Sequence, residues 1–177
     1  GIQFRILPLF DGAFENQHDA YDISTHETLA AYNQMVDWWF EDDELVGANP
    51  IVEHIQAVLK RFSPDEPAGV YSRRFWIPTL LVNTNGDCYA YGDPYGDPEW
   101  CYGNIFRQPL TEILTSPAFD RSVREAEKRM AKNCVHCPYF GGCDGYPIAE
   151  DVTNARERDA EGVRVCVLER GAMEHIE

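Results

Sequence analysis

Four cysteines in the C-terminal part of the chain have the spacing of a metal–thiolate site. Cys134, Cys137 and Cys143 form a C-x2-C-x5-C loop that contains two glycines, and Cys166 follows further along the chain. A CxxC loop directs two thiolates at one centre because the chain reverses between them, and a third thiolate can close around that centre. Cysteines at these spacings bind zinc or iron–sulfur clusters, and four thiolates suit both groups equally. Spacing alone therefore leaves zinc and iron–sulfur open.

Two further cysteines, Cys88 and Cys101, lie outside this loop. They could form a disulfide, hold a second metal or be buried thiols, and the last interpretation is favoured because free cysteine behaves as a small apolar residue. Six cysteines in 177 residues are too few for a disulfide scaffold. Without a secretory signal, the sequence predicts a cytoplasmic protein with reduced thiols.

The charge of the chain excludes two classes of partner. The formal net charge is −15, and such a surface repels nucleic acid and anionic membranes. The sequence also lacks an apolar run of about 18 residues, so no membrane-spanning helix is predicted. The acidic surface indicates solubility, or a face that meets a basic peptide.

The first part of the chain has an α/β pattern. Alternating apolar residues from Ile2 predict a strand that stops near Pro8, and Ser24 with Glu27 forms a capping box that begins a helix. A short strand is predicted at 45–48, followed by a second helix that Asn49 caps with Pro50 at its first position. The residues predicted to be buried on the two helices are Leu29, Tyr32, Val36, Trp39 and Phe40, then Ile51, Ile55, Val58, Leu59 and Phe62.

The pattern changes after the proline-rich connector at 63–67. A strand at 76–82, an Asn85–Gly86 turn and a return strand at 87–91 predict a β-hairpin. A short helix is predicted at 110–114. A longer helix begins at Ser116 and Pro117 and ends immediately before Cys134, so it would support the cysteine loop. Its predicted inward residues are Phe119, Val123, Ala126 and Met130.

This order of motifs resembles the SPASM domain, the auxiliary-cluster region of many radical SAM enzymes, notably maturases of ribosomally made peptides and of sulfatases. The hairpin with Asn-Gly at its tip, residues 102–105, residues 109–114, the C-x2-C-x5-C loop and a distant cysteine carry the resemblance, which spans about residues 71–166. It implies an α/β end of a partial radical-SAM barrel at 1–65. A small α+β SPASM-like iron–sulfur domain with a β-hairpin would follow at 66–177.

The resemblance also implies which cofactors the chain holds. Cys134, Cys137, Cys143 and Cys166 would bind one auxiliary 4Fe–4S cluster. A second cluster would have only Cys88 and Cys101, since Pro147 and Tyr91 stand where the family has cysteines. The C-x3-C-x2-C motif that binds the SAM-cleaving cluster does not occur in the sequence. The chain would therefore be a C-terminal portion that is inactive alone.

In such an enzyme, an N-terminal radical SAM region would bind S-adenosylmethionine and its cluster, and hydrogen abstraction would precede side-chain cross-linking of a precursor peptide. An electron-donor protein is a further expected partner, and no catalytic residue is assigned. The competing hypothesis is a non-enzymatic interaction module that zinc stabilises at the same four cysteines.

Overall fold

The computed structural model describes residues 4–5, 23–42, 47–63, 65, 69, 80–90, 96–150, 156–158, 160 and 164–177. Its elements are, in chain order, β1 (Phe4–Arg5), α1 (Thr25–Glu41), β2 (Ala48–Asn49), α2 (Ile51–Arg61), β3 (Leu80–Val82), β4 (Asp87–Ala90), β5 (Gly103–Asn104), α3 (Leu110–Ile113), α4 (Pro117–Asn133), α5 (Tyr146–Ala149), β6 (Arg156–Arg158), β7 (Arg164–Cys166) and α6 (Val167–Ile176). The fold is a mixture of helices and short strands, as the sequence predicts.

Helix α1 begins at the predicted capping box. The Ser24 hydroxyl accepts a hydrogen bond from the Glu27 backbone N–H at 3.2 Å, and the Glu27 carboxylate accepts one from the Ser24 N–H at 3.0 Å. Two N–H groups at the helix start are thereby satisfied. The prediction is confirmed.

The buried side of α1 follows the predicted stripe except at its end. Tyr32 and Val36 are buried, and Leu29 and Trp39 pack against them. Phe40 was expected on this face, but it is 55% exposed. It lies at the edge of the stripe, where its ring meets that of Trp39 edge-to-face at 5.3 Å between centroids.

Helix α2 does not begin as the sequence predicts. Asn49 belongs to β2, where its backbone pairs with that of Arg5, and Pro50 occupies the N-cap position without a side-chain hydrogen bond. The predicted Asn49 cap is therefore wrong, because the strand pairing holds this residue outside the helix. Ile51 is the first helical residue, so Pro50 is also one position earlier than predicted.

The buried face of α2 is rotated from the predicted one. Ile51, His54, Ala57 and Val58 are buried, whereas the expected core residues Leu59 and Phe62 are 60% and 64% exposed. Because His54 is polar, the apolar pattern of the sequence does not predict its burial. Its Nδ1 lies 2.8 Å from the Tyr32 hydroxyl. At about 100° per residue, Leu59 projects away from the centre of this face, and Phe62 follows the end of the helix.

Strands β1 and β2 form a parallel pair, and α1 connects them. This βαβ unit agrees with the α/β prediction for the first part of the chain. Of the predicted first strand, only residues 4–5 are among the described residues, and the described part of the second strand is at 48–49 rather than 45–48.

The predicted hairpin is present. Strands β3, β4 and β5 form an antiparallel sheet in this order, with Val82 opposite Cys88 and Cys88 opposite Gly103. Gly86 ends the turn with φ of 90°, a conformation that glycine adopts without strain. The predicted strand residues 76–79 lie outside the described residues.

Helix α4 also matches its prediction. Ser116 caps it through a hydrogen bond from the Phe119 N–H at 3.2 Å, and Pro117 occupies the first turn. All four predicted inward residues are buried, and they are Phe119, Val123, Ala126 and Met130. The short helix α3 is likewise found where it is predicted.

Helix α6 joins the two parts of the chain. Its Leu168 and Ala172 complete a hydrophobic cluster with α1 and α2, and its Met173 belongs to a second cluster with Ala57 and Val58 of α2. The first helices and the cysteine-rich region therefore share apolar cores. Within the described ranges, no helix combines the length and apolarity needed to cross a membrane.

Candidate metal centre

Helix α4 leads directly into the cysteine loop. The Cys134 N–H donates to the Met130 carbonyl at 2.8 Å as the last bond of the helix, and the Cys137 N–H donates to the Cys134 carbonyl at 2.8 Å. The loop then folds on itself, because the Cys143 N–H donates to the Tyr139 carbonyl at 2.7 Å. These backbone bonds hold the first three cysteines in a fixed relation.

The glycine Gly142 lets this loop lie directly on α2. A Cβ built at Gly142 would approach the Ala57 carbonyl oxygen to 2.5 Å and the Ala57 Cα to 3.0 Å. Both are backbone atoms, which cannot move aside as a flexible side chain could. Glycine at this position is therefore required by the close contact of two chain segments.

The fourth cysteine comes from a separate segment. Cys166 ends β7 and is the N-cap residue of α6, so the β6–β7 pair and the packed helix α6 together position it. All four cysteines line one cavity of about 30 Å³, and the other lining residues are Asn133, Phe140, Gly145, Ile148, Arg170 and Met173. The sequence-predicted thiols are thus brought together around one space.

Burial makes the charged form of Cys134, Cys143 and Cys166 costly. It is the largest cause of each shift, and it raises the pKa of Cys134 to about 11 and that of Cys143 to about 12. The pKa of Cys166 is also raised, by burial first and then by the negative charge of Glu169. A bound cationic centre would offset this cost, because metals take cysteine as thiolate.

The donor set fits a cysteine-ligated cluster. All six cysteines are free of disulfides, and four of them share a cavity with apolar side chains. Among the described His, Cys, Asp and Glu side chains, no group of three or more is arranged so that it could hold a metal ion.

Tyr139 anchors the middle of the loop. Its ring is 2% exposed, and its hydroxyl donates to the Glu177 carboxylate at 2.5 Å. The same carboxylate pairs with Arg61 of α2, whose guanidinium lies 5.5 Å from the centroid of the Tyr139 ring. Burial first and the bond to Glu177 second raise the pKa of Tyr139 to about 12, so the hydroxyl remains a donor.

The comparison with protein families agrees with this geometry. Residues 78–138 match the family model SPASM, described as an iron-sulfur cluster-binding domain. This segment of the chain is therefore similar to SPASM domains. The match supports membership of the SPASM-domain family of radical SAM proteins, as the sequence motifs indicate. Comparisons with curated proteins and with solved structures gave no significant match.

The SPASM match spans the hairpin, α3, α4 and the first two cysteines of the loop, while Cys143 and Cys166 follow it. It also contains Cys88 and Cys101, which are not among the described residues that line the thiol cavity. Cys88 is fully buried against Tyr102 and other residues of a separate hydrophobic cluster. This placement agrees with the favoured buried-thiol interpretation of Cys88.

Sequence reasoning missed two residues of the thiol site. Arg170 lines the thiol cavity, and Tyr139 anchors the loop that supplies three of the thiols. A signal for Arg170 was available, since it follows Cys166 by four residues in a segment with helical periodicity. His136, within the CxxC, is exposed.

Proposed function

We propose that this chain is the C-terminal, auxiliary 4Fe–4S-binding portion of a radical SAM/SPASM enzyme that modifies a ribosomally made peptide. The observation that carries the proposal is the cavity lined by four free thiols from two chain segments. Cys134, Cys137, Cys143 and Cys166 would be the ligands. The SPASM match supports iron–sulfur chemistry at this cavity rather than another thiolate site.

The first part of the chain would close the enzyme barrel. The parallel β1–α1–β2 unit supports this role, because a (β/α) barrel consists of such units. We propose that residues 1–65 belong to the barrel and that residues 66–177 form the SPASM-like domain. An N-terminal radical SAM region would supply S-adenosylmethionine, its cluster and hydrogen abstraction from the peptide, in the cytoplasm.

The residues of this chain would hold and shield the auxiliary centre. When bound, a cluster with four cysteine ligands supplies one-electron transfer, which would serve side-chain cross-linking or exchange with an electron-donor protein. Phe140, Ile148 and Met173 lie around the thiols and limit the access of water. Helix α6, packed on α1 and α2, would fix Cys166 relative to the barrel segment.

Anaerobic reconstitution tests the proposal. We expect about four iron and four sulfide ions per chain, with visible charge-transfer absorption. Cys166→Ala should lose this iron. The matched variant Cys101→Ala should keep it, because Cys101 is outside the cavity.

The other results are equally informative. A colourless wild-type protein with one zinc would refute the cluster and favour the zinc-stabilised interaction module. Full iron retention by Cys166→Ala would refute the ligand assignment. Loss of iron from Cys101→Ala as well would mean that Cys101, although outside the cavity, also takes part in binding.

A further inference from the structure

Arg170 brings a permanent charge to the thiol cavity. The described residues that line this cavity are otherwise apolar side chains, cysteines, Asn133 and Gly145. The hydrogen bond to Glu174 is the largest cause that raises the pKa of Arg170, and a Cys137 thiolate would act in the same direction. A fixed positive charge therefore stands beside the position where a bound cluster would gain an electron.

The fold holds Arg170 in this position. It follows Cys166 by four residues, so both lie on one side of the first turns of α6. Because α6 packs on α1 and α2, this part of the helix has little freedom to move.

A neighbouring carboxylate moderates the charge. The Arg170 Nε donates to the Glu174 Oε1 at 2.7 Å, an i,i+4 pair on α6. The two side chains are 46% and 51% exposed, so water also screens them. The cavity thus experiences part of a positive charge, and the charge of either partner could be removed without changing a cysteine.

We propose that Arg170 raises the reduction potential of the auxiliary cluster by stabilising the extra negative charge of its reduced form. This role rests on the proposed function, since it needs a cluster at the four cysteines. The protein can tune such a cluster through local charge and hydrogen bonds. Arg170 then tunes the reduction potential through its charge, and Glu174 limits this electrostatic effect.

The expected size follows from the Coulomb interaction. A half-exposed charge changes a neighbouring equilibrium by up to about fivefold, so we expect a change of about this size in the reduced-to-oxidised ratio. At 59 mV per tenfold for one electron, this corresponds to about 40 mV.

Potentiometric titration of the reconstituted protein, followed by the EPR signal of the reduced cluster, tests the role. We expect Arg170→Gln to lower the midpoint potential by about 40 mV, Arg170→Lys to restore most of it, and Glu174→Gln to raise it. Arg121→Gln is the matched control. Arg121 is 45% exposed and pairs with Glu99 at 2.9 Å, but it is not among the residues that line the cavity.

Each result decides between the two proposals. A wild-type protein that takes up no cluster overturns the proposed function and this role with it. A fully loaded Arg170→Gln protein with the wild-type potential overturns the role of Arg170 alone. If Arg170→Gln does not load, Glu174→Gln decides, because an unchanged or lower potential in that variant overturns the electrostatic mechanism.

Discussion

Tyr139→Phe isolates the contribution of one hydroxyl to the cysteine loop. The substitution keeps the buried ring and its contact with the Arg61 guanidinium, and it removes only the hydrogen bond to Glu177. A hydrogen bond to a charged group contributes about 1.5–3 kcal/mol. The Glu177 side chain is 29% exposed and keeps its pairing with Arg61, so the lower limit applies. We expect a loss of about 1.5 kcal/mol in the free energy of unfolding.

Two measurements would detect this loss of stability in Tyr139→Phe. The melting temperature should fall by about 3–6 °C for a chain of this size. If local opening of the loop limits metal loss, the same energy should make iron release to a chelator about tenfold faster. Tyr102→Phe is the matched control, because it removes a buried hydrogen bond to Ser122, 2.6 Å long, at the start of α4.

The control separates loop anchoring from general stability. Tyr102→Phe should also lower the melting temperature but leave iron release near the wild-type rate, because its bond lies in another hydrophobic cluster. Equal iron release from the two variants at equal stability would refute the anchoring role of Tyr139.

Two further predictions concern packing and pH. Gly142→Ala should destabilise the protein by about 2 kcal/mol through contact with the α2 backbone, measured by urea unfolding; Gly69→Ala, whose Cβ would meet only an ordinary contact at 3.7 Å, should not. His54 has its pKa lowered by burial from 6.5 to about 4. The contribution of neutral His54 to the free energy of unfolding is complete above pH 6.5, and it is lost as the pH falls towards 4. Relative to His54→Gln, wild type should therefore lose about 2.5 kcal/mol between pH 7 and 4.5. Burial raises the pKa of Glu169 to about 7, with the opposite pH slope, so only the difference between the proteins is diagnostic. An identical pH profile for the two proteins would contradict a buried neutral His54.

The sequence was sufficient where local chemistry decides the structure. Ser24 and Ser116 cap their helices with neighbouring residues, and the turn at Gly86 needs a glycine conformation. The inward face of α4 follows one helical period and is confirmed throughout. The four cysteines could likewise be grouped by spacing and by family resemblance, and the fold places them around one cavity.

The sequence was insufficient where distant segments decide the structure. Leu59 and Phe62 are apolar, but contact with Tyr32 of α1 buries His54, and contacts with α6 and the cysteine loop bury Ala57 instead. Asn49 is a good cap residue by type, yet its pairing with β1 prevents that use. Tyr139 gave no local signal, because its partner lies 38 residues away.

The position of α6 also has a consequence for how the chain folds. His175 of α6 meets Asp37 of α1 at 2.8 Å across 138 residues of sequence, and Leu29 packs against Gly171 in the same interface. Contacts between such distant segments require the closure of a long loop, and the entropy cost of this closure slows folding. Docking of α6 also fixes Cys166. Assembly of the thiol site is therefore expected among the late steps of folding, and a slow phase in refolding should precede the uptake of iron.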